Sequence, residues 1–361
     1  MHVQPAADTA KGTTWSDRIC TVLASLTIAA TMSSLLARSS WLAEILANLR
    51  VQQMIGLAIL IAWSSILRRR RLAIVLAFCA ALHLPWFVAS SRARALDRLL
   101  DTSVQTPDLT VTSANVLIGN EQFEAVEEAI LAPQADVLAV LELDSLLQSR
   151  LASRLPALYP HRHELPRDED GFGIGLYSRE PLQDLRVVDL GGIFRGLAAR
   201  IVVRDHSYRI VAVHTMPPIG SGGAALRNEH LQRTAAFVRE LEVQEPDCPV
   251  VLMGDLNVTP WSPHFRLLED SSQLRRAARG SRLTPTWHCL PAYPFGLVLD
   301  HVLISDSLQC LRTAVGPPMG SDHRTITAEL HFRPPASSRS QFTPRPQPPA
   351  YAPSVDLPRT E

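Results

Sequence analysis

The sequence predicts an α+β domain, a two-sheet β-sandwich flanked by helices, preceded by three transmembrane helices. Two observations carry this. Between residues 108 and 333, short strand-like runs alternate with amphipathic helical runs. Ahead of them, Ile19–Ala37, Val51–Leu67 and Leu72–Ala89 are apolar runs close to the length needed to cross a bilayer.

The three runs follow one another with short connections, which is implausible for exposed helices of a soluble protein. Ile19–Ala37 has no clear small-residue cleavage site and is followed by two more runs, so it does not read as a removed signal peptide. Arg68-Arg69-Arg70-Arg71 lies in the tight connection between the second and third runs. Positive charge stays on the cytoplasmic side, which places this turn and residues 1–18 inside, and the following domain outside. Arg92, Arg94 and Arg98 oppose this with one charge fewer. His83 and Pro85 fall inside the third run and read as a kinked helix with its His near the interface. Residues 90–107 form a linker. Residues 334–361, rich in Pro, Ser and Arg, lack the apolar surface to fold and read as a disordered tail.

In the domain, Leu109–Ala114 is a strand and Glu121–Leu131 an amphipathic helix. Asp136–Leu143 is a buried strand and Ser145–Leu158 a helix. Phe172–Ser178, Leu185–Leu190, Leu197–Val203 and Tyr208–His214 read as consecutive strands. Leu226–Leu241 is a long helix, Val250–Gly254 a buried strand and Pro263–Glu269 a short helix. Val298–Ile304 and Ile326–Phe332 close the set as strands. About 225 residues suit one compact domain.

The net charge is zero but unevenly distributed. Residues 1–107 hold 11 Lys+Arg against 5 Asp+Glu, whereas residues 108–333 hold 21 against 28. An acidic domain argues against tight nonspecific nucleic-acid binding, which needs a cationic footprint. Five cysteines do not make a disulfide scaffold. Of Cys248, Cys289 and Cys310, one pair could form outside the cytoplasm, and the sequence does not say which. Nothing in the sequence sets an oligomeric state.

The polar residues carry the chemistry. Val250-Val-Leu-Met-Gly-Asp-Leu-Asn257 is an apolar run that delivers Asp255 and Asn257 into a loop; two apart at a strand end, they point to one side. Leu299-Asp-His-Val-Leu-Ile304 and Gly320-Ser-Asp-His323 follow. Together they set hard oxygen donors beside an Asp–His pair, the parts for metal-assisted attack of water on a phosphate ester. Glu142 leaves a buried strand, where a carboxylate is costly unless exposed or bound. One firm Glu ligand suits Mg²⁺, which keeps several waters. Asp144 beside it reads as a helix cap.

These motifs, in this order, resemble the endonuclease/exonuclease/phosphatase superfamily, whose members include DNase I, abasic-site endonucleases, bacterial sphingomyelinases and inositol polyphosphate 5-phosphatases. The resemblance spans about residues 108–333 and implies a DNase I-like fold. It makes Glu142 the main metal ligand for Mg²⁺ or Mn²⁺, with Asp322 a second. It assigns Asp255 to the attacking water, Asn257 to a phosphate oxygen and His214 to a hydrogen bond on the phosphate. It pairs Asp300 with His323, whose other ring nitrogen faces the phosphate. Asn115 lies near the metal and the scissile phosphate. Either Asp255 or the His323–Asp300 pair is the general base. Arg227 could reach an anionic substrate, although a solvated helix face is the simpler reading. Arg179 and the Thr286-Trp287 pair read as structural, and His301 alternates away from the site. The Pro217-Pro218 pair after His214 is closer to membrane-anchored bacterial members than to the nucleases, which implies a bacterial inner-membrane protein. The expected partner is a lipid-linked phosphorylated substrate. A nuclease is the runner-up, and a non-catalytic membrane receptor the alternative of another class.

Overall fold

The computed structural model describes residues 14–88, 106–278, 283–288 and 296–333. Most of the expected linker, the expected C-terminal tail and Cys289 lie outside the described residues.

Two six-stranded sheets form the domain. The first has the order β13 (Leu308–Val315), β14 (Ile326–Phe332), β1 (Leu109–Asn115), β2 (Val137–Leu141), β4 (Ile174–Ser178), β3 (His161–Leu165). The second runs β5 (Gln183–Gly191), β6 (Phe194–Val203), β7 (His206–His214), β8 (Val250–Asp255), β12 (Asp300–Ile304), β9 (Arg275–Arg276). β10 (Trp287–His288) and β11 (Gly296–Leu297) make a small separate ribbon. Each large sheet has one parallel pair at its centre, β1 with β2 and β7 with β8; the other pairings are antiparallel.

Strand periodicity builds the layers. Val251 and Met253 of β8 face the core between the sheets with Val111, Ala139, Ala199 and Ile210. Val250 and Leu252 point the other way, into a cluster with Leu231, Val238, Phe265 and Leu268 of α7 (Gly220–Gln244) and α8 (Pro263–Ser272). On the far side, α5 (Phe123–Leu131) and α6 (Ser145–Leu151) cover Leu138 and Val140 of β2. Covered on both faces, β2 and β8 are apolar throughout rather than alternating. The expected two-sheet sandwich flanked by helices is therefore present.

β3 and β13 were not legible in the sequence. Both are edge strands, where burial is least, so neither shows a clean apolar pattern; β13 also carries an irregularity between Cys310 and Arg312. The helix expected over Ser145–Leu158 stops at Leu151 and continues as a 3₁₀ turn at Leu155–Ala157. Cys248 is a buried free thiol.

Among the described residues, the N-terminal region holds four helices: α1 (Trp15–Ser34), α2 (Trp41–Asn48), α3 (Arg50–Ile66) and α4 (Arg70–Phe87). The expectation of three independent membrane-crossing helices needs correction. By length and composition α4 qualifies alone, and α2 with α3 qualifies only as a pair bent by 66°. The helix at the first apolar run, α1, does not qualify. Asp17 and Arg18 fall inside its first turn, and Thr and Ser dilute the rest. α2 was missed because its eight residues fall between the first two apolar runs and are too few for a span; the side it buries is Ala43, Glu44, Ala47 and Asn48. His83 is fully buried between Thr31 (Nε2 to Oγ1, 3.2 Å) and Arg50 (Nδ1 to Nη1, 3.0 Å).

The domain rests on one end of this helical region. Gln52 donates to the Gly296 carbonyl at 2.9 Å, Arg266 donates to the Pro85 carbonyl at 2.8 Å, and Phe87 packs on Trp261. The Arg68–Arg71 turn, with Arg69 paired to Asp17 at 2.9 Å, is at the opposite end.

Gly254 lets β7 and β8 lie side by side at the end that carries the polar residues. Its φ is +145°, and a Cβ there would stand 1.8 Å from the Val213 carbonyl oxygen. Gly254→Ala is expected to cost about 2 kcal/mol or more, a drop in the thermal midpoint of roughly 4–8 °C. An unchanged melting curve would show that the strands can separate there without penalty.

Candidate active site

Register assembles the centre. His214 of β7 pairs with Asp255 of β8, and Asp255 pairs with Asp300 of β12. Three polar side chains thus stand in a row at one end of the second sheet. The first sheet supplies Asn115 at the end of β1 and Glu142 just after β2. The loop before β14 brings in His323.

Asp255 is the hub and is 1% exposed. Its Oδ1 accepts the Asn257 backbone N–H at 2.9 Å, and its Oδ2 accepts Asn115 Nδ2 at 3.2 Å. His214 Nε2 and His323 Nε2 stand 3.5 and 3.6 Å from the same Oδ2. On the far side of its ring, His323 Nδ1 donates to Asp300 Oδ2 at 2.8 Å. Asp300 is held in turn, because its backbone N–H and that of Leu299 both donate to Thr286 Oγ1.

Asn115 Nδ2 also donates to Glu142 Oε1 at 2.8 Å, and the Ile118 backbone N–H donates to Oε2 at 3.0 Å. Glu142 is half-buried, so its carboxylate keeps a path to solvent. Glu142 (φ 60°) and Asn257 (φ 48°) both adopt left-handed backbone, which costs non-glycine residues of order 1–3 kcal/mol and concentrates at functional sites.

The electrostatics follow from burial. Desolvation is the largest influence on Asp255 and pushes its pKa well above the usual carboxylate range; the His323 charge opposes this, Asp300 adds to it, and the Asn257 N–H bond opposes it. Burial works against charge on His323, but Asp300 and then Asp255 outweigh it and raise the ring to about 10. His214 falls to about 3, first by burial and then by the charge on His323. At neutral pH the centre therefore sets one charged imidazolium and one neutral imidazole about a carboxyl group that binds a proton readily.

Most sequence-predicted site residues converge, with four revisions. Asn115 holds Glu142 and Asp255 together, and its Oδ1 accepts the Leu117 N–H, so both its polar ends are engaged within the site. Asn257 spends a side-chain N–H on the Thr215 carbonyl at 2.9 Å. Arg227 neither meets substrate nor lies on a solvated face. It is fully buried, with Nη2 paired to Glu44 and Nη1 donating to the Asn257 carbonyl at 2.8 Å. Asp322 is exposed, and its Oδ2 accepts the Trp287 indole N–H at 2.7 Å.

Asp144 caps α6 by accepting the Leu147 N–H at 2.7 Å, and His301 bonds the Val258 carbonyl at 2.8 Å away from the centre. The sequence reading missed Ser321, whose Oγ accepts the His323 N–H and donates to the Asn115 carbonyl, joining the two halves of the site. It also missed Phe172, whose ring lies 5.0 Å from that of His214. A single Ser or Phe carries no signal that would have marked either.

Asp255, Asp300 and His323 bring potential ligand atoms within 4.8 Å of one another. That trio suits a cation poorly, because the charged ring already sits between the carboxylates. Glu142 and Asp322 are the better oxygen donors: both reach solvent, and both match the carboxylate preference of Mg²⁺ and Mn²⁺.

The Endonuclease/Exonuclease/phosphatase family matches residues 112–323, from within β1 to His323. Among solved structures, the catalytic domain of human Nocturnin with bound sulfate anion is 18% identical, covering 63% of this chain and 96% of its own, with TM-score 0.51. Staphylococcus aureus beta toxin is 19% identical, covering 61% and 99%, with TM-score 0.50. Truncated Caenorhabditis elegans TDP2 is 16% identical, covering 62% and 97%, with TM-score 0.50. At these identities the fold is what is shared. No curated protein matches in sequence.

Asp300→Asn tests the charge assignment. The imidazolium exists below its pKa and is lost as pH rises through it, so wild type holds the charge until about pH 10. Without the Asp300 charge the ring loses its proton at lower pH. The alkaline limb of kcat/KM is expected to move down by roughly 1–3 units. An unmoved limb would mean that His323 does not govern it.

Proposed function

The chain belongs to the endonuclease/exonuclease/phosphatase family, and from that membership we propose that it is a membrane-anchored, divalent-metal-dependent phosphoesterase. Its domain faces outward from a bacterial inner membrane, and it cleaves a phosphate ester or pyrophosphate of a lipid or head group. The observation that carries the chemistry is the buried Asp255, flanked by His214 and the His323–Asp300 pair and joined through Asn115 to Glu142.

Glu142, with Asp322, would hold Mg²⁺ or Mn²⁺. Bound there, the ion supplies positive charge to the non-bridging phosphate oxygens. Asp255 orients water and takes its proton; its raised proton affinity suits a general base near neutral pH. The His323–Asp300 pair does not fill that role, because the ring is already protonated. Charged His323 and neutral His214 donate to charge that grows on the phosphate, and the second Nδ2 hydrogen of Asn257 suits one of its oxygens.

Membrane anchoring is supported by the outward faces of the helices. Only Leu76, Cys79 and His83 of α4 are buried, while Ile74, Val75, Phe78 and Leu84 are exposed. Ile55 and Ile59 of α3, Val22 and Leu26 of α1, and Leu42 and Ile45 of α2 face outward too. Apolar surface on this scale marks an interaction face, and a bilayer suits it. The domain contacts the end of the helices opposite Arg68–Arg71, so a cytoplasmic arginine turn puts the site outside, near the bilayer surface. That proximity favours a lipid-linked substrate over nucleic acid.

Chelation is expected to abolish turnover and Mg²⁺ or Mn²⁺ to restore it, and Glu142→Ala to lose activity while the domain stays folded. Full activity in excess chelator would overturn the mechanism. Asp255→Asn and His323→Ala should each slow the reaction about 10²–10⁴-fold. A panel of lipid phosphates beside DNA and RNA separates the substrate readings, since preferential turnover of nucleic acid would make it a nuclease. A phosphatase reporter that works only when exported, fused after Arg333, should be active. Activity of a cytoplasmic reporter there would reverse the orientation.

A further inference from the structure

The loop after β8 carries the catalytic carboxylate's neighbours on its inner side. On its outer side it is held by residues from the helical region. α2 turns Glu44 and Asn48 toward the domain, and Leu42 and Ile45 away from it. Asn48 Oδ1 accepts both the backbone N–H (3.1 Å) and the hydroxyl (2.7 Å) of Thr259, and the Asn48 carbonyl accepts the Trp261 indole N–H at 3.0 Å. Arg50 Nε donates to the Trp261 carbonyl at 3.3 Å.

Glu44 is the centre of this contact and is 3% exposed. Its Oε1 accepts Ser262 Oγ at 2.7 Å, and both its oxygens accept Arg227 Nη2 at 2.6 Å. His264 Nε2 stands 3.9 Å from Oε2. Arg227, with no exposure at all, passes the contact on by donating Nη1 to the Asn257 carbonyl and Nε to Asn228 Oδ1, both at 2.8 Å. Asn257 then donates its own N–H to Asp255. One residue in left-handed backbone is thus gripped from both sides, by Arg227 at its carbonyl and by Asp255 at its amide. Such a conformation persists only when its surroundings over-determine it. Removing the Glu44 charge would leave the Arg227 guanidinium buried without its counter-ion, and the loop would have to yield to rehydrate it.

We propose that Glu44 is a positioning residue of the catalytic centre: it holds Arg227 against the Asn257 carbonyl, so that the placement of Asp255 depends on α2 being docked. The activity arm of its test rests on the phosphoesterase reading above. The helical region then does more than tether the domain, because it completes the loop that sets the catalytic carboxylate.

The test uses the full chain in nanodiscs, with a soluble chromogenic phosphodiester as probe and backbone hydrogen exchange over residues 256–262 as a second readout. Glu44→Gln should lower kcat about 10-fold or more with KM nearly unchanged, since small misplacements of a catalytic group are costly. It should also speed exchange in that segment. Glu44→Gln combined with Arg227→Gln should be no worse than either alone, as expected for groups acting as one unit. Asp17→Asn, which breaks the ion pair with Arg69 at the other end of the helices, should match wild type in both readouts. If Glu44→Gln does not fold, Glu44→Asp keeps the charge but retracts it by one methylene, and should show the same effects in milder form. Unchanged exchange with wild-type kcat in a folded Glu44 variant overturns the proposal, as does an equal loss in Asp17→Asn. A wild-type chain that turns over no phosphoester sinks the phosphoesterase reading instead, and the exchange comparison alone then decides this one.

Discussion

Asp255 is a carboxylate almost wholly withdrawn from bulk solvent, and the site is organised around that fact. Burying a charge or a polar group is costly unless partners replace the lost hydration. Here the partners are the Asn257 N–H, the Asn115 amide and two imidazoles, drawn from both sheets and from two loops. The substitution is incomplete, which is why the group binds a proton more readily than an ordinary carboxylate. Burial also works against charge on His323, but the Asp300 and Asp255 carboxylates outweigh it and keep the ring charged. One environment thus drives the carboxyl toward accepting a proton and a ring beside it toward keeping one, a division of acid and base roles set by surroundings rather than by residue type.

Strand pairing makes this arrangement affordable. A parallel pair and an antiparallel pair meet on β8, so that His214, Asp255 and Asp300 arrive at the same level of the sheet without any loop having to place them. Sites built on strands are held more firmly than sites on loops. Thr286 anchors the strand residue Asp300, and the parts that do lie on loops are each tied down: His323 through Ser321 to Asn115, and Asn257 through Arg227. The last of these ties leads out of the domain to Glu44, in a short helix whose other face is apolar and exposed.

Much of the domain was legible residue by residue. β2 and β8 announced themselves as unbroken apolar runs because both faces of each are covered, and α7 as a long helix. The strands β3 and β13 were hidden: β3 is a polar edge strand, His-Arg-His-Glu-Leu, and the irregularity between Cys310 and Arg312 breaks the alternation of β13. The helical region was legible as apolar but not in its detail. Asp17 and Arg18 shorten the apolar part of α1, and α2 is a short helix that buries Ala, Glu and Asn while its larger apolar residues Leu42 and Ile45 face outward.

The sequence by itself determined the chemical inventory: Glu142, Asp255, Asn257, Asp300 and His323 at strand ends or in loops, in an order that marks the family. It could do so because strand periodicity and burial fix which residues end a strand and face one way. Only the tertiary structure decided what those residues bind. That Asn115 bridges two carboxylates, that Asn257 sits in left-handed backbone, and that Arg227 serves Glu44 rather than a substrate all depend on groups far apart in the chain. Local pattern carries no record of such partners, because a hydrogen bond between residues 44 and 227 leaves no periodicity at either end.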